Sequence, residues 1–367
     1  MSRVRVSDIV RFLNQWAPFS LQESYDNSGL LTGDPEMQVK GIMASLDCTE
    51  AVLEEAVSRN CNVVVAHHPV LFKALKSLTG RNYVERTLIS AIRKNIAIIA
   101  FHTNLDNIHT GVNSRICQRL GLVDTEVLQP IRGNLMKLVT FTPESHAGQV
   151  LDALYDAGAG RIGKYDRCSF RAEGQGSYRP LEGANPWQGK PGQEETATEI
   201  RLEVILPGHA EQAVLTALKK AHPYEEVAYY LTTLNNLNQE TGAGMVGNLP
   251  EEMDSQDFIK YLKNRMLCDS IRHTELCFPW IRRVAVCGGA GSFLTGMARQ
   301  SGAQIFVSAD FKYHEFFDAD GKIIIADIGH FESEQFTGEL VAAVLAKNFP
   351  TFASLFSEVK TNPIRYA

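Results

Sequence analysis

The amino-acid sequence predicts an α/β protein: two related three-layer α/β lobes separated by an inserted ferredoxin-like α+β domain. Three observations carry this. Short, continuous apolar strands alternate with helical segments over the first 125 residues, the pattern of a parallel sheet covered on both faces. The last 85 residues repeat the order. The middle carries instead a β-α-β-β-α-β succession, the ferredoxin-like pattern. The expected boundaries are 1–129, 130–240 and 241–367.

In the first lobe a leading helix over about 7–17 presents Ile9, Val10, Phe12 and Leu13 to the core. Residues 39–46 form a short apolar strand. Asp47 with Glu50 three residues on resembles a capping box opening a helix over 49–59. Residues 62–66 are apolar and mostly β-branched, a buried strand. A helix over 81–94 and a strand over 96–101 follow. In the second lobe 283–287 is a strand, and Gly288-Gly-Ala-Gly291 turns into a helix over 292–301. Strand 304–308, helix 311–319 and strand 322–327 come next, and a helix over 334–347 closes the chain. In the middle, strand 135–142 and helix 145–157 lead into a stretch over 158–198 rich in Gly, Pro, Ser and Gln, read as hairpin and loop. Strand 199–205, helix 209–221 and strand 228–234 complete it.

Acids exceed bases, 42 against 36, so the chain lacks the overall basic balance expected of a nucleic-acid binder. Seven cysteines, an odd number with no CxxC pair, argue against a disulfide framework and a four-thiolate zinc site. No apolar run reaches membrane-span length, and Met1-Ser-Arg-Val-Arg5 lacks the apolar region of a signal peptide. A cytoplasmic protein with no membrane and no nucleic-acid partner is expected.

The chemistry sits where strands end. Ligands gather at the carboxyl ends of parallel strands. His67 and His68 directly follow strand 62–66; His102, Asn104 and Asp106 follow strand 96–101; His330 follows strand 322–327. Successive residues on a regular strand face opposite sides, but Pro69 keeps the chain extended without holding it in the sheet, so both imidazoles can reach one cavity. His330 and Glu334 are four apart, one turn on a starting helix. His67, His68, Asp106, His330 and Glu334 form a nitrogen–oxygen donor set suited to Zn(II), Fe(II) or Mn(II). The expectation is two divalent ions per subunit, zinc first among the candidates, with Asp106 or Glu334 as a bridge and open positions for an activated water. His102 is an extra ligand or a neighbour that orients one. Asp310 and His314, after strand 304–308, are candidate catalytic or substrate groups. Lys312 and Tyr313 are weaker candidates for a substrate phosphate.

Val63-Val-Val-Ala-His-His-Pro-Val-Leu-Phe72, Phe101-His-Thr-Asn-Leu-Asp106 and Asp327-Ile-Gly-His-Phe-Glu-Ser-Glu334, in this order, resemble the motifs of the Nif-three-like dinuclear-metal-centre family, and Glu23-Ser-Tyr-Asp-Asn-Ser-Gly29 resembles its N-terminal motif. Its members are often labelled GTP cyclohydrolase I type 2 homologues. The resemblance covers the whole chain. It implies metal ligation by His67, His68, Asp106, His330 and Glu334, two facing α/β lobes, and a toroidal homohexamer built as a trimer of dimers. The insert resembles the form carrying a PII/CutA-like domain, through Ala221-His-Pro-Tyr-Glu-Glu-Val-Ala-Tyr229 and the loop 170–183 with Arg179-Pro-Leu-Glu-Gly183. His222-Pro-Tyr-Glu225 reads either as a turn before an edge strand or as a small-ligand or subunit contact.

Gly242-Ala-Gly-Met-Val-Gly247 spells GxGxxG but opens no βαβ unit, so no nucleotide cofactor is expected there. Gly288–Gly291 offers amides to an anion or, equally, a close strand–helix approach. Two functions compete. One is a metal-dependent hydrolase acting on a nucleotide-like or phosphorylated small molecule. The other is a metal carrier or metal-dependent regulator whose insert senses a small ligand.

Overall fold

The computed structural model describes residues 4–366; Met1 to Arg3 of the N-terminal segment read above, and Ala367, lie outside the described residues. The chain divides into two compact units: the residues up to Gln129 together with those from Glu240 onward, and Pro130–Gln239. Among the described residues no helix is long and apolar enough to cross a membrane.

The larger unit holds two sheets. The first runs, in spatial order, Gly29–Thr32, Ala97–Ala100, Val63–Ala66, Gly41–Ser45 and Ala353–Phe356. The last four strands are parallel, and Gly29–Thr32 lies antiparallel on Ala97–Ala100. The second runs Arg272–His273, Ile324–Asp327, Ile305–Ala309, Trp280–Ala290, Gly242–Asp254 and Val123–Pro130. Its middle trio is parallel, again with an antiparallel edge. Each sheet thus has three parallel strands and an antiparallel flank in the same order, as the repeated pattern predicts. They differ on the other flank, where Gly242–Asp254 runs antiparallel and Ala353–Phe356 runs parallel.

Alternation along the strands explains the layers. In the first sheet Val63 and Val65 face a core shared with Val284, Val286 and Ile305 of the second sheet. Val64 and Ala66 face outward onto Val52, Leu53 and Leu88. The second sheet repeats this, with Phe306 and Ile325 packed outward on Leu294 and Ala298. Helix Val6–Trp16, through Ile9 and Leu13, and helix Ser255–Met266, through Phe258 and Leu262, close the shared core.

Several expectations need correction. The chain does not close on a helix over 334–347. His330–Glu334 and Thr337–Asn348 are separate helices, and Ala353–Phe356 then returns to the first sheet. The last residues therefore complete the first lobe's sheet rather than the second's. Gly338 permits the return, because a Cβ there would lie 2.4 Å from the Phe356 ring. The helix read over 311–319 is a 3-10 turn at Tyr313–Ala319. The strand before Gly288–Gly291 continues to Ala290, and a six-residue helix, Thr295–Gln300, comes later. Asp47 caps nothing: Thr49 accepts the Val52 amide at the start of helix Glu50–Ser58.

The smaller unit has the β-α-β-β-α-β order read from sequence. Its strands are Leu135–Thr142, Phe170–Tyr178, Glu195–Pro207 and Tyr229–Leu234, and its helices Glu144–Asp156 and Glu211–Ala221. The sheet is antiparallel, with Leu135–Thr142 between Glu195–Pro207 and Tyr229–Leu234. Both helices pack on one face, Val150, Leu154, Val214 and Leu218 meeting Leu138, Leu202 and Val204. His222 ends the second helix. Its Nε2 lies 2.8 Å from the Phe141 carbonyl and its Nδ1 accepts the Tyr224 amide, so both ring nitrogens serve the turn before the edge strand.

Candidate metal centre

His67 and His68 are the first two residues beyond strand Val63–Ala66. Their consecutive amides donate to Ser45, the last residue of the neighbouring strand, and to Leu46 just beyond it, at 3.0 and 2.9 Å. In a regular ladder alternate amides face a given neighbour. Two in succession mark a local twist that swings both rings to one side, their centroids 5.0 Å apart. The chain therefore stays attached to the sheet through His68, and the twist, rather than release at Pro69, brings the pair together.

His102 precedes the single helical turn Thr103–Asp106. Asp26, from the segment after the first helix, fastens this turn. One carboxylate oxygen accepts the Thr103 amide and hydroxyl, and the other faces His102 Nδ1 at 2.8 Å. His330 opens helix His330–Glu334 after Gly329, whose φ of +91° makes the sharp entry. The i, i+4 spacing brings His330 Nε2 to 3.2 Å from Glu334 Oε2.

The early and late segments meet. Glu334 Oε2 lies 3.0 Å from His68 Nε2 and 3.9 Å from His67 Nε2. Asp106 Oδ1 lies 3.6 Å from His67 Nε2, and the Nε2 atoms of His68 and His330 are 3.3 Å apart. His67, His68 and His102 bring ring nitrogens within 4.8 Å of one another. So do the donor atoms of His68, His330 and Glu334, and those of His67, Asp106 and Glu334. All five predicted donors and His102 are thus assembled from three stretches of chain.

Every imidazole is held from behind through Nδ1. His67 uses the Phe101 carbonyl (3.0 Å), His68 uses Asp47 (2.8 Å), His102 uses Asp26 (2.8 Å) and His330 uses Asp310 (2.7 Å). Such partners fix the ring and its tautomer, leaving Nε2 as the free donor. Asp47 and Asp26 in this role were not read from sequence. The signal for Asp47 was its place just past strand Gly41–Ser45, on the same strand ends as the histidines. Asp310 supports His330 from the left-handed region at φ +59°. His314 is not brought to the site: it sits exposed, its ring beside Tyr313 and Phe317.

The electrostatics are those of a cation site. Burial pushes Asp106 well above the ordinary carboxyl range, and the Glu334 charge pushes it further. Burial also opposes ionisation of Glu334, but hydrogen bonds from His330 and His68, with the nearby His67 ring, hold it well below that range. Burial disfavours a charged His68, yet Asp47 and Glu334 outweigh it and raise its pKa to about 9. His330 is raised to about 11 by Asp310 and Glu334 against the same penalty. Burial lowers His67. Its Nε2, and Asp106 Oδ1, are buried without a hydrogen-bond partner. Orphaned buried polar atoms are rare and costly. These two face one another, an acceptor nitrogen and a carboxylate oxygen, as divalent-metal donors would. Mixed imidazole and carboxylate donors fit Zn(II), Fe(II) or Mn(II).

The glycines after strand Trp280–Ala290 make room for Glu334. A Cβ on Gly289, at φ +61°, would lie 2.5 Å from Glu334 Oε1. The Gly288 and Gly289 amides donate to Asn113 and Ser333 at 2.9 Å, so they are not presented to an anion. The site opens into a cavity of about 980 Å³, whose wall includes Tyr25, Phe72, Tyr83 and Phe293.

The model of the Duf34/NIF3 (NGG1p interacting factor 3) family matches residues 4–363. A Bacillus subtilis protein named GTP cyclohydrolase 1 type 2 homolog is 35% identical over 370 residues, covering 99% of both chains. A Halalkalibacterium halodurans protein of the same name is 38% identical over 325 residues, covering 88% of this chain and 87% of its own. Among solved structures, a Bacillus cereus protein related to NIF3 superposes over the full length of both chains with a TM-score of 0.87 and 34% identity.

Proposed function

The chain belongs to the Duf34/NIF3 (NGG1p interacting factor 3) family, and on that premise we propose that its clustered donors hold two divalent cations and that the loaded centre hydrolyses a nucleotide-like or phosphorylated small molecule. The observation that carries the reading is the shared direction of the donors. Four imidazoles are tied through Nδ1 and meet Asp106 and Glu334 on their free sides.

Glu334 belongs to both mixed donor groups, with His68 and His330 on one side and His67 and Asp106 on the other, so it would help to hold both cations. A divalent pair supplies Lewis acidity toward a carbonyl or phosphoryl oxygen and lowers the pKa of water. The chain's own residues do the rest. Asp47, Asp26 and Asp310 keep three rings in register and balance charge behind them. The deep placement of His67 and Glu334 excludes bulk water from the inner side of the centre. The names of the relatives cited above support cyclohydrolase-type ring opening as the reaction class. The insert is a PII/CutA-like domain in the same proposal, its antiparallel β-α-β-β-α-β arrangement supporting that likeness.

Elemental analysis of protein purified without added metal tests the centre. About two equivalents of one divalent transition metal per chain are expected. His68→Ala should lower that stoichiometry and remove turnover in a panel of nucleotides, nucleosides and phosphoesters. Asp47→Ala should leave the fold intact and weaken metal binding roughly 10–100-fold. No metal in the native protein, or turnover unchanged in His68→Ala, sinks the proposal.

A further inference from the structure

Resting on the dinuclear reading above, we infer that the cavity selects an uncharged or cationic planar heterocycle, of the nucleobase or nucleoside class, and disfavours a polyphosphate chain. Two features of the wall point this way: its charge and its rings.

The charge comes first. Asp26, Asp47 and Asp310 stand behind the histidines, Asp106 and Glu334 are donors, and Glu23 lies in the wall. Six carboxylates against the four positive charges of two divalent ions leave a balance of −2 with neutral imidazoles. The described residues that line the cavity include no Lys or Arg. Lys73 and Lys76 follow Phe72 in sequence but are exposed and outside the wall. Polyphosphate sites ordinarily clamp the chain with Arg, Lys or a cradle of backbone amides. The one glycine run beside this centre has the amides of Gly288 and Gly289 committed to Asn113 and Ser333.

The rings come second. Tyr25, Phe72, Tyr83 and Phe293 line the same cavity and remain 69%, 50%, 61% and 66% exposed. Aromatic faces left open beside a polar centre are stacking surfaces waiting for a partner. Phe72 meets His102 edge to face at 5.7 Å, which links the ring wall to the donor cluster. A flat heterocycle lying on these rings would present its edge to the metal side. Base–aromatic stacking is indifferent to phosphate and tolerant of base identity.

Binding of guanosine, GMP and GTP to the full-length, zinc-loaded protein tests this by calorimetry at low and high salt. Guanosine should bind tightest. GTP should be about tenfold weaker at low salt, the gap narrowing as salt screens it. Phe293→Ala should weaken guanosine about fivefold or more. Phe293→Lys places a cation on an exposed wall position and should raise GTP binding relative to guanosine. GTP binding to the native protein as tightly as guanosine overturns the inference. So does a guanosine-to-GTP ratio unmoved by Phe293→Lys, or failure of all three probes to bind. Metal content measured on the same samples separates the two readings. Protein without metal sinks the dinuclear centre, whereas a GTP preference with metal bound sinks only the selectivity.

Discussion

A histidine offers two nitrogens, and which one faces a ligand is decided by what the other touches. Here the decision is made by residues far away in sequence: Asp47 for His68, Asp26 for His102, Asp310 for His330. The donors themselves were legible because each follows a strand or sits one helical turn from another. The supporting carboxylates were not, since nothing local pairs residue 26 with residue 102, and Asp47 mimicked a helix cap. His314 was overrated for the opposite reason: it follows a strand in sequence, but the 3-10 turn at Tyr313–Ala319 carries it outward. In metal-free protein the charged forms of His68 and His330 are favoured up to about pH 9 and 11. Their folded pKa values exceed the unfolded 6.5. The stability they add is therefore complete below pH 6.5 and disappears as pH climbs through 9 and 11. At pH 7 both carry protons that a metal must displace. Zinc loading at that pH should release up to two imidazole protons, and affinity should rise with pH. Titrations in buffers of different protonation enthalpy read this directly, and heats independent of buffer would contradict it.

Elements matter here through how closely they approach. Strand Trp280–Ala290 passes so near helix His330–Glu334 that Gly289 has no room for a methyl group. Gly289→Ala meets two penalties, contact with Glu334 and an unfavourable positive φ. It should cost about 1–3 kcal/mol in stability and lower metal affinity at the same time. Thermal melting with and without metal separates the two, and a stable variant with native affinity would show that the contact relaxes cheaply. The glycine run was visible in the sequence, with anion binding and close packing left as alternatives, and the close approaches at Gly289 and Gly291, with the committed amides of Gly288 and Gly289, favour packing. Short elements were the hardest to read. Gly29–Thr32 and Ala353–Phe356 have four residues each, too few for a periodicity, and Ala353–Phe356 is half exposed.

At the scale of the molecule, every donor, every carboxylate behind a ring and the whole cavity wall belong to the larger unit. Val123–Pro130 and Gly242–Asp254 are neighbours in its second sheet, so the insert leaves and returns at adjacent strands. Replacing Pro130–Gln239 by a short Gly-Ser linker should therefore keep the metal stoichiometry unchanged. Elemental analysis checks it, and a folded but metal-free product would assign the insert a part in the centre. Strand and helix periodicities change character near residues 130 and 240, and the two compact units divide there. The path of the last residues was not legible in the sequence, since it depends on a distant partner strand. That path has a consequence for biogenesis. His68 leaves the ribosome 266 residues before Glu334, an interval of roughly 13–53 s at 5–20 residues per second, and strand Ala353–Phe356 comes later still. The paired imidazoles are synthesised as half a site, on a sheet lacking its edge, and the donor set is complete only once the late segment has been made.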